Sequence, residues 1–84
     1  MCKYLEKFEN GVIHILIEIC FDSKSQQTIT KIKTIKEDGY VDCENMELIT
    51  DENGVIFDKI VNDYIENGFK TTTKEEFDKY KCDN

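Results

Sequence analysis

The sequence predicts an α+β domain: an antiparallel sheet of three to four strands, crossed by one amphipathic helix and edged by a short C-terminal helix. Three observations predict it. In Val12–Asp22 the odd positions Ile13, Ile15, Ile17, Ile19 and Phe21 are all apolar, the period-two signature of a strand with one buried face. From Asp51 to Glu66 the period becomes helical, with Ile56, Phe57, Ile60, Val61, Tyr64 and Ile65 on one half of the circumference. All four glycines follow Asn or Asp (Asn10-Gly11, Asp38-Gly39, Asn53-Gly54, Asn67-Gly68), pairs that accept positive φ and mark turns or helix ends. At 84 residues the chain has room for one domain, residues 1–84, and one core.

The first element, Lys3–Phe8, has two readings. It pairs with the Val12–Asp22 strand across an Asn10-Gly11 hairpin, setting Phe8 opposite Ile13 and Tyr4 opposite Ile17, or it forms a short helix ended by Gly11. The hairpin is preferred because so short a helix is marginal. The second face of Val12–Asp22 is mixed (His14, Leu16, Glu18, Cys20), which suits a central strand. Thr28–Lys36 is a strand whose Ile29, Ile32 and Ile35 break strict alternation, through either a bulge or partial cover on both faces. Tyr40–Ile49 follows the Asp38-Gly39 turn as a less regular strand.

Thr50 or Asp51 is positioned to cap the main helix, and Gly68 with Phe69 to close it in a Schellman end, the Phe69 ring folding back on Tyr64 or Ile65. Thr73 and Glu76 then form a capping box ahead of Phe77 and Tyr80. The expected core is Ile13, Ile15, Ile17, Ile19, Phe21, Ile32, Leu48, Ile56, Phe57, Ile60, Val61, Tyr64, Ile65 and Phe77.

Charge is segregated. Residues 37–69 carry ten carboxylates and one lysine, a net −9, while the 36 residues before them carry +2 and the last 15 are balanced. A field of this kind selects partners by sign. With a net charge of −7 and no arginine, direct nucleic-acid binding is not expected, since phosphate neutralisation supplies most of that affinity. The chain also lacks alanine, proline and tryptophan, and isoleucine and lysine each occur 11 times, a usage that a GC-poor bacterial or phage genome would produce.

Cysteines at 2, 20, 43 and 82 show no paired spacing and there is one histidine, so no metal and no cofactor are expected. Lys3, Glu6, Lys7 and Glu9 interrupt any signal-peptide core, and no apolar run is long enough to span a bilayer. A cytoplasmic protein with free thiols, not bound to membrane, is the simple expectation. No catalytic residues are expected either. His14 and Cys20 lie six positions apart on one strand, about 20 Å. No phosphate loop, nucleophile elbow or calcium loop is present.

The run Phe57–Phe69, followed by Lys74-Glu75-Glu76-Phe77, resembles the end of small acidic anti-CRISPR proteins that inhibit type II effector nucleases. In those proteins an amphipathic helix closes on Asn-Gly-aromatic and an acid-acid-Phe helix follows. The likeness covers residues 57–80 and is carried by Asn67-Gly68-Phe69 and Glu75-Glu76-Phe77. It implies a DNA mimic that presents carboxylates to the basic groove of a CRISPR effector nuclease, and it nominates Glu75 and Glu76. The linker Lys70–Thr73 departs from the family, being cationic or neutral where those inhibitors are acidic.

The charge pattern itself nominates Glu44, Glu47, Asp51, Glu52, Asp58, Asp63 and Glu66 as partner contacts. The resulting expectation is a non-enzymatic acidic inhibitor of a basic, nucleic-acid-binding groove. The alternative is a structural or regulatory interaction module that pairs through a sheet edge, as a homodimer for example.

Overall fold

The computed structural model describes residues 1–46 and 48–84. The elements are β1 (Cys2–Glu9), β2 (Ile13–Asp22), β3 (Gln27–Ile35), β4 (Val41–Asn45), β5 (Ile49–Thr50), α1 (Val55–Glu66), β6 (Lys70–Thr71) and α2 (Lys74–Asp78). The sheet is antiparallel in the order β4-β3-β2-β1-β6, with β5 also paired to β3. Among the described residues it therefore has six strands, more than the three to four expected, because the Tyr40–Ile49 run contributes both β4 and β5 and the chain after α1 adds β6. β2 is central, as its two-sided pattern requires.

Residues 2–9 form a strand, so the hairpin reading holds, but its register differs by one residue. The Asn10-Gly11 turn closes with Val12 N–H donating to the Glu9 carbonyl at 3.1 Å, both central residues at positive φ (53° and 71°). The ladder then starts from Glu9 opposite Ile13, leaving exposed Val12 as an extra residue. Phe8 consequently faces His14 and Tyr4 faces Glu18, not Ile13 and Ile17. A one-residue slip exchanges the faces of a strand. Here it sends Leu5 to the core opposite Ile17 and Tyr4 to the other side.

Both faces of the sheet are covered. On one, Leu5, Ile17, Ile19 and Phe21 pack with Phe57 of α1, flanked by Ile15, Ile32, Ile60, Val61, Tyr64 and Phe69. On the other, Phe77 of α2 lies 5.8 Å from the Tyr4 ring, and Leu16 and His14 are buried. This second layer explains why Thr28–Lys36 lacks clean alternation. β3 pairs with β2 in one continuous register from Gln27 to Ile35, without a bulge, and carries partly buried residues on both sides. It also revises the expected core. Leu48 and Ile65 are exposed and Ile13 only half-buried, while Leu5, Leu16 and Val41 are buried instead.

α1 starts later than expected. Glu52–Gly54 forms a separate short turn, with Asn53 and Gly54 at positive φ (59° and 76°). Asp51 still caps the helix across this turn: Oδ1 accepts from Ile56 N–H at 2.8 Å and Oδ2 from Phe57 N–H at 2.7 Å. At the far end Phe69 N–H donates to the Tyr64 carbonyl and Gly68 N–H to that of Ile65, both at 3.1 Å. Gly68 has φ 94°, and Phe69 meets the Tyr64 ring edge-on at 5.1 Å. This is the expected Schellman end.

The cysteines correct the expectation of free thiols: Cys2 is bonded to Cys20 and Cys43 to Cys82. The first bond joins residues directly opposite in β1 and β2, which only the observed register allows. The second fixes the C-terminal tail along β4. There Asp83 N–H donates to the Val41 carbonyl, Val41 N–H to Asp83 Oδ2 and Cys43 N–H to Asn84 Oδ1. No helix among the described residues is long and apolar enough to cross a membrane.

Candidate functional site

Cross-strand pairing decides which way each carboxylate faces. Asp42 and Glu44 of β4 stand opposite Thr34 and Ile32, and Ile32 packs on the α1 side. Glu44 therefore shares a side of the sheet with α1, and it reinforces the upward shift that burial imposes on the Tyr64 hydroxyl. Asp58, Asp63 and Glu66 are exposed on α1, and Glu52 is exposed just before it. Lys59 is the one basic residue of that helix. Among the described residues the salt bridges are His14–Glu6 and Lys74–Asp78, so none of these five acids is neutralised by a close ammonium partner. Nearest the helix end, Lys7 is already committed: its Nζ donates to the Asn67 carbonyl at 2.9 Å and lies 5.6 Å from the Phe69 ring centre.

Three nominated residues fall elsewhere, and a fourth is not among those described. Glu47 lies outside the described residues. Asp51 is fully buried and takes no part in a surface, because besides capping α1 its Oδ2 accepts from Thr28 Oγ1 at 2.7 Å. Burial opposes its ionisation, yet the Thr28, Ile56 and Phe57 hydrogen bonds prevail and hold the carboxyl below its usual range. Glu75 and Glu76 sit on α2, across the sheet from α1. The acids suggested by charge and those suggested by resemblance are thus on opposite faces and cannot form one contact patch.

The α2 side has its own polar organisation. Lys33 Nζ donates to the carbonyls of Phe77 (2.8 Å) and Tyr80 (2.7 Å) and lies 4.2 Å from the Phe77 ring centre. It thereby caps the open end of α2, and burial lowers its pKa. Tyr4 donates to Glu18 Oε2 at 2.9 Å; burial first, and then that bond, push its hydroxyl up to about 12.

Next to them His14 is buried. Its ring stacks on Phe8 at 4.1 Å and meets Tyr80 edge-on at 5.7 Å. His14 Nε2 lies 2.8 Å from Glu6 Oε1, and ligand atoms of His14, Glu6 and Glu76 all fall within 4.8 Å of one another. Sequence spacing gave no sign of this cluster, since its members come from β1, β2 and α2. The only available clue was that the even positions of β2 mix His14 and Glu18 with Leu16, as a second covered face would require.

Compared with known protein families, with curated proteins and with solved structures, the chain matches none. The likeness of residues 57–80 to anti-CRISPR proteins therefore rests on the Schellman end and on the Glu75-Glu76-Phe77 turn alone.

Proposed function

We propose that the protein is a non-enzymatic acidic binding domain whose α1 side docks on a basic groove of a partner protein. The observation that carries this reading is the set Glu44, Glu52, Asp58, Asp63 and Glu66, all exposed on or beside one face and, among the described residues, none held by a lysine. Like charges gathered in this way raise the energy of the free protein and are relieved by a cationic partner. A groove that normally follows a phosphate backbone has the matching sign, which keeps nucleic-acid-handling proteins, nucleases included, as the partner class. Disulfides persist chiefly in oxidising surroundings, so we look for that partner among proteins met outside a reducing cytoplasm.

Sheet-edge self-association is the weaker reading, because the C-terminal tail occupies the free edge of β4 at Val41 and Cys43.

The test is affinity capture with the oxidised protein at about 0.05 and 0.5 M salt, beside the triple variant D58K/D63K/E66K. Capture that is lost at high salt and lost in the variant supports the proposal. Capture that survives the triple reversal removes the α1 face from the contact.

A further inference from the structure

We infer that His14, Glu6 and Glu76 form a binding site for a divalent transition-metal ion of the zinc type, on the sheet face opposite the α1 acids. The inference begins with His14. Its relative exposure is 6%, and Phe8 on one side and Tyr80 on another fix its ring, so Nε2 points in one direction. There Nε2 meets Glu6 of β1 at 2.8 Å, and Glu76 of α2 brings a second carboxylate, so that ligand atoms of all three residues fall within 4.8 Å of one another. Zinc bonds of about 2.0–2.2 Å place tetrahedral ligand atoms about 3.4 Å apart. Closing the widest pair to that spacing needs a carboxylate movement of at most about 1.4 Å, within reach of the torsions of two half-buried glutamates.

Glu76 supplies an independent observation. The Thr73-x-x-Glu76 spacing predicts that its carboxylate folds back on the Thr73 amide. Only half of that box forms: Glu76 N–H donates to Thr73 Oγ1 at 3.1 Å, and among the described residues no return bond is made. The carboxylate is turned toward His14 and Glu6 instead. There two anionic groups share one imidazole, and among the described residues no lysine bridges either of them. A doubly charged cation neutralises both.

The donor set selects the class of ion. One imidazole nitrogen and two carboxylate oxygens suit zinc and its first-row neighbours, with a water completing the shell on the open side. Calcium and magnesium require more oxygen ligands, and thiolate-seeking ions find all four cysteines oxidised.

The experiment uses the intact oxidised chain. Calorimetric titration with zinc chloride is expected to show one saturable site per chain. Cobalt(II) is expected to give the visible absorption of a four- or five-coordinate ion, and the His14 ring resonances to shift on zinc addition. Affinity falls as pH is lowered, because protons compete for all three ligands. E76Q is the decisive variant, since the Glu76 carboxylate makes no structural hydrogen bond, and E6Q is the second. Each is expected to weaken zinc binding at least about 100-fold, since even outer-shell partners are worth 10–100-fold. The control D63N, on the far face, keeps wild-type affinity. Absence of saturable binding overturns the inference. So does wild-type affinity in either E76Q or E6Q, which would place any bound zinc away from this cluster.

Discussion

Thr28 Oγ1 donates to Asp51 Oδ2 across 2.7 Å, and both residues are buried, so the α1 cap is anchored to the middle layer of the fold and not only to its own helix. Asp51 thus joins β3 to the first turn of α1 through three hydrogen bonds. D51A leaves Thr28 and two amide donors without partners, and we expect its melting temperature to fall by roughly 5–10 °C. The effect depends on pH with a definite sign. The Asp51 carboxyl is held below its ordinary range, so its contribution is complete above pH about 3.9 and is lost as pH falls through the depressed value. Melting curves between pH 2 and 6 should show an acid-side decline that D51N flattens; identical acid limbs would refute the assignment.

The disulfides close loops of 18 and 39 residues. Chain-entropy estimates give about 3 kcal/mol for the first and about 4 kcal/mol for the second. For a domain this small we expect reduction to move the denaturation midpoint markedly. C82S should also release Asp83 and Asn84 from β4, visible as faster amide exchange at Val41 and Cys43. Non-reducing peptide mapping checks the pairing itself; free thiols in protein from its native source would contradict it.

Tyr4 is the most perturbed phenol. With its hydroxyl pushed up to about 12 by burial and by Glu18, it stays protonated at a pH where exposed tyrosines ionise. Its raised value means that its stabilising share is intact below pH about 10 and disappears as pH rises toward 12. Ultraviolet titration should show Tyr4 as the last phenol to ionise, and E18Q should bring it earlier.

Lys33 adds side-chain donors at the C-terminal end of α2, beside the Lys79 N–H bond to the Glu75 carbonyl. K33M keeps the aliphatic stem over Phe77 but removes the bonds to the Phe77 and Tyr80 carbonyls. We expect a loss of about 1–2 kcal/mol by urea denaturation. Exchange should quicken in Phe77–Tyr80 and not in α1; a uniform change along the chain would point to the core instead.

The strand at Val12–Asp22, the helix ending on Asn67-Gly68-Phe69 and the Thr73 cap are all legible locally, because each depends on residues within a few positions of one another. The hairpin was legible as an element but not in register. Asn10-Gly11 specifies the turn, yet the extra residue Val12 shifts every pair beyond it, and that shift is what brings Cys2 opposite Cys20. Short spacing along the chain is a poor guide to cysteines that meet across strands, so the free-thiol expectation failed for a geometric reason.

The candidate sites divide in the same way. The exposed acids of α1 follow from helical periodicity, and their surplus over lysine follows from composition. Asp51 could not be recognised as buried without knowing that Thr28 lies beneath it. Nor could the separation of Glu75 and Glu76 from α1 be seen before β6 carried the chain across the edge of β1 to the other face.

By itself the sequence determined the α+β class, the central strand, the limits of the main helix to within a few residues and the concentration of negative charge after position 36. These are properties of periodicity, turn chemistry and composition. Only the tertiary structure decided that the sheet is covered on both faces, that the cysteines pair, and that His14 meets Glu6 and Glu76. Those outcomes depend on strand register and on the side to which each helix returns. One residue of register reverses the facing of a whole strand, and no local pattern in this chain specifies that residue.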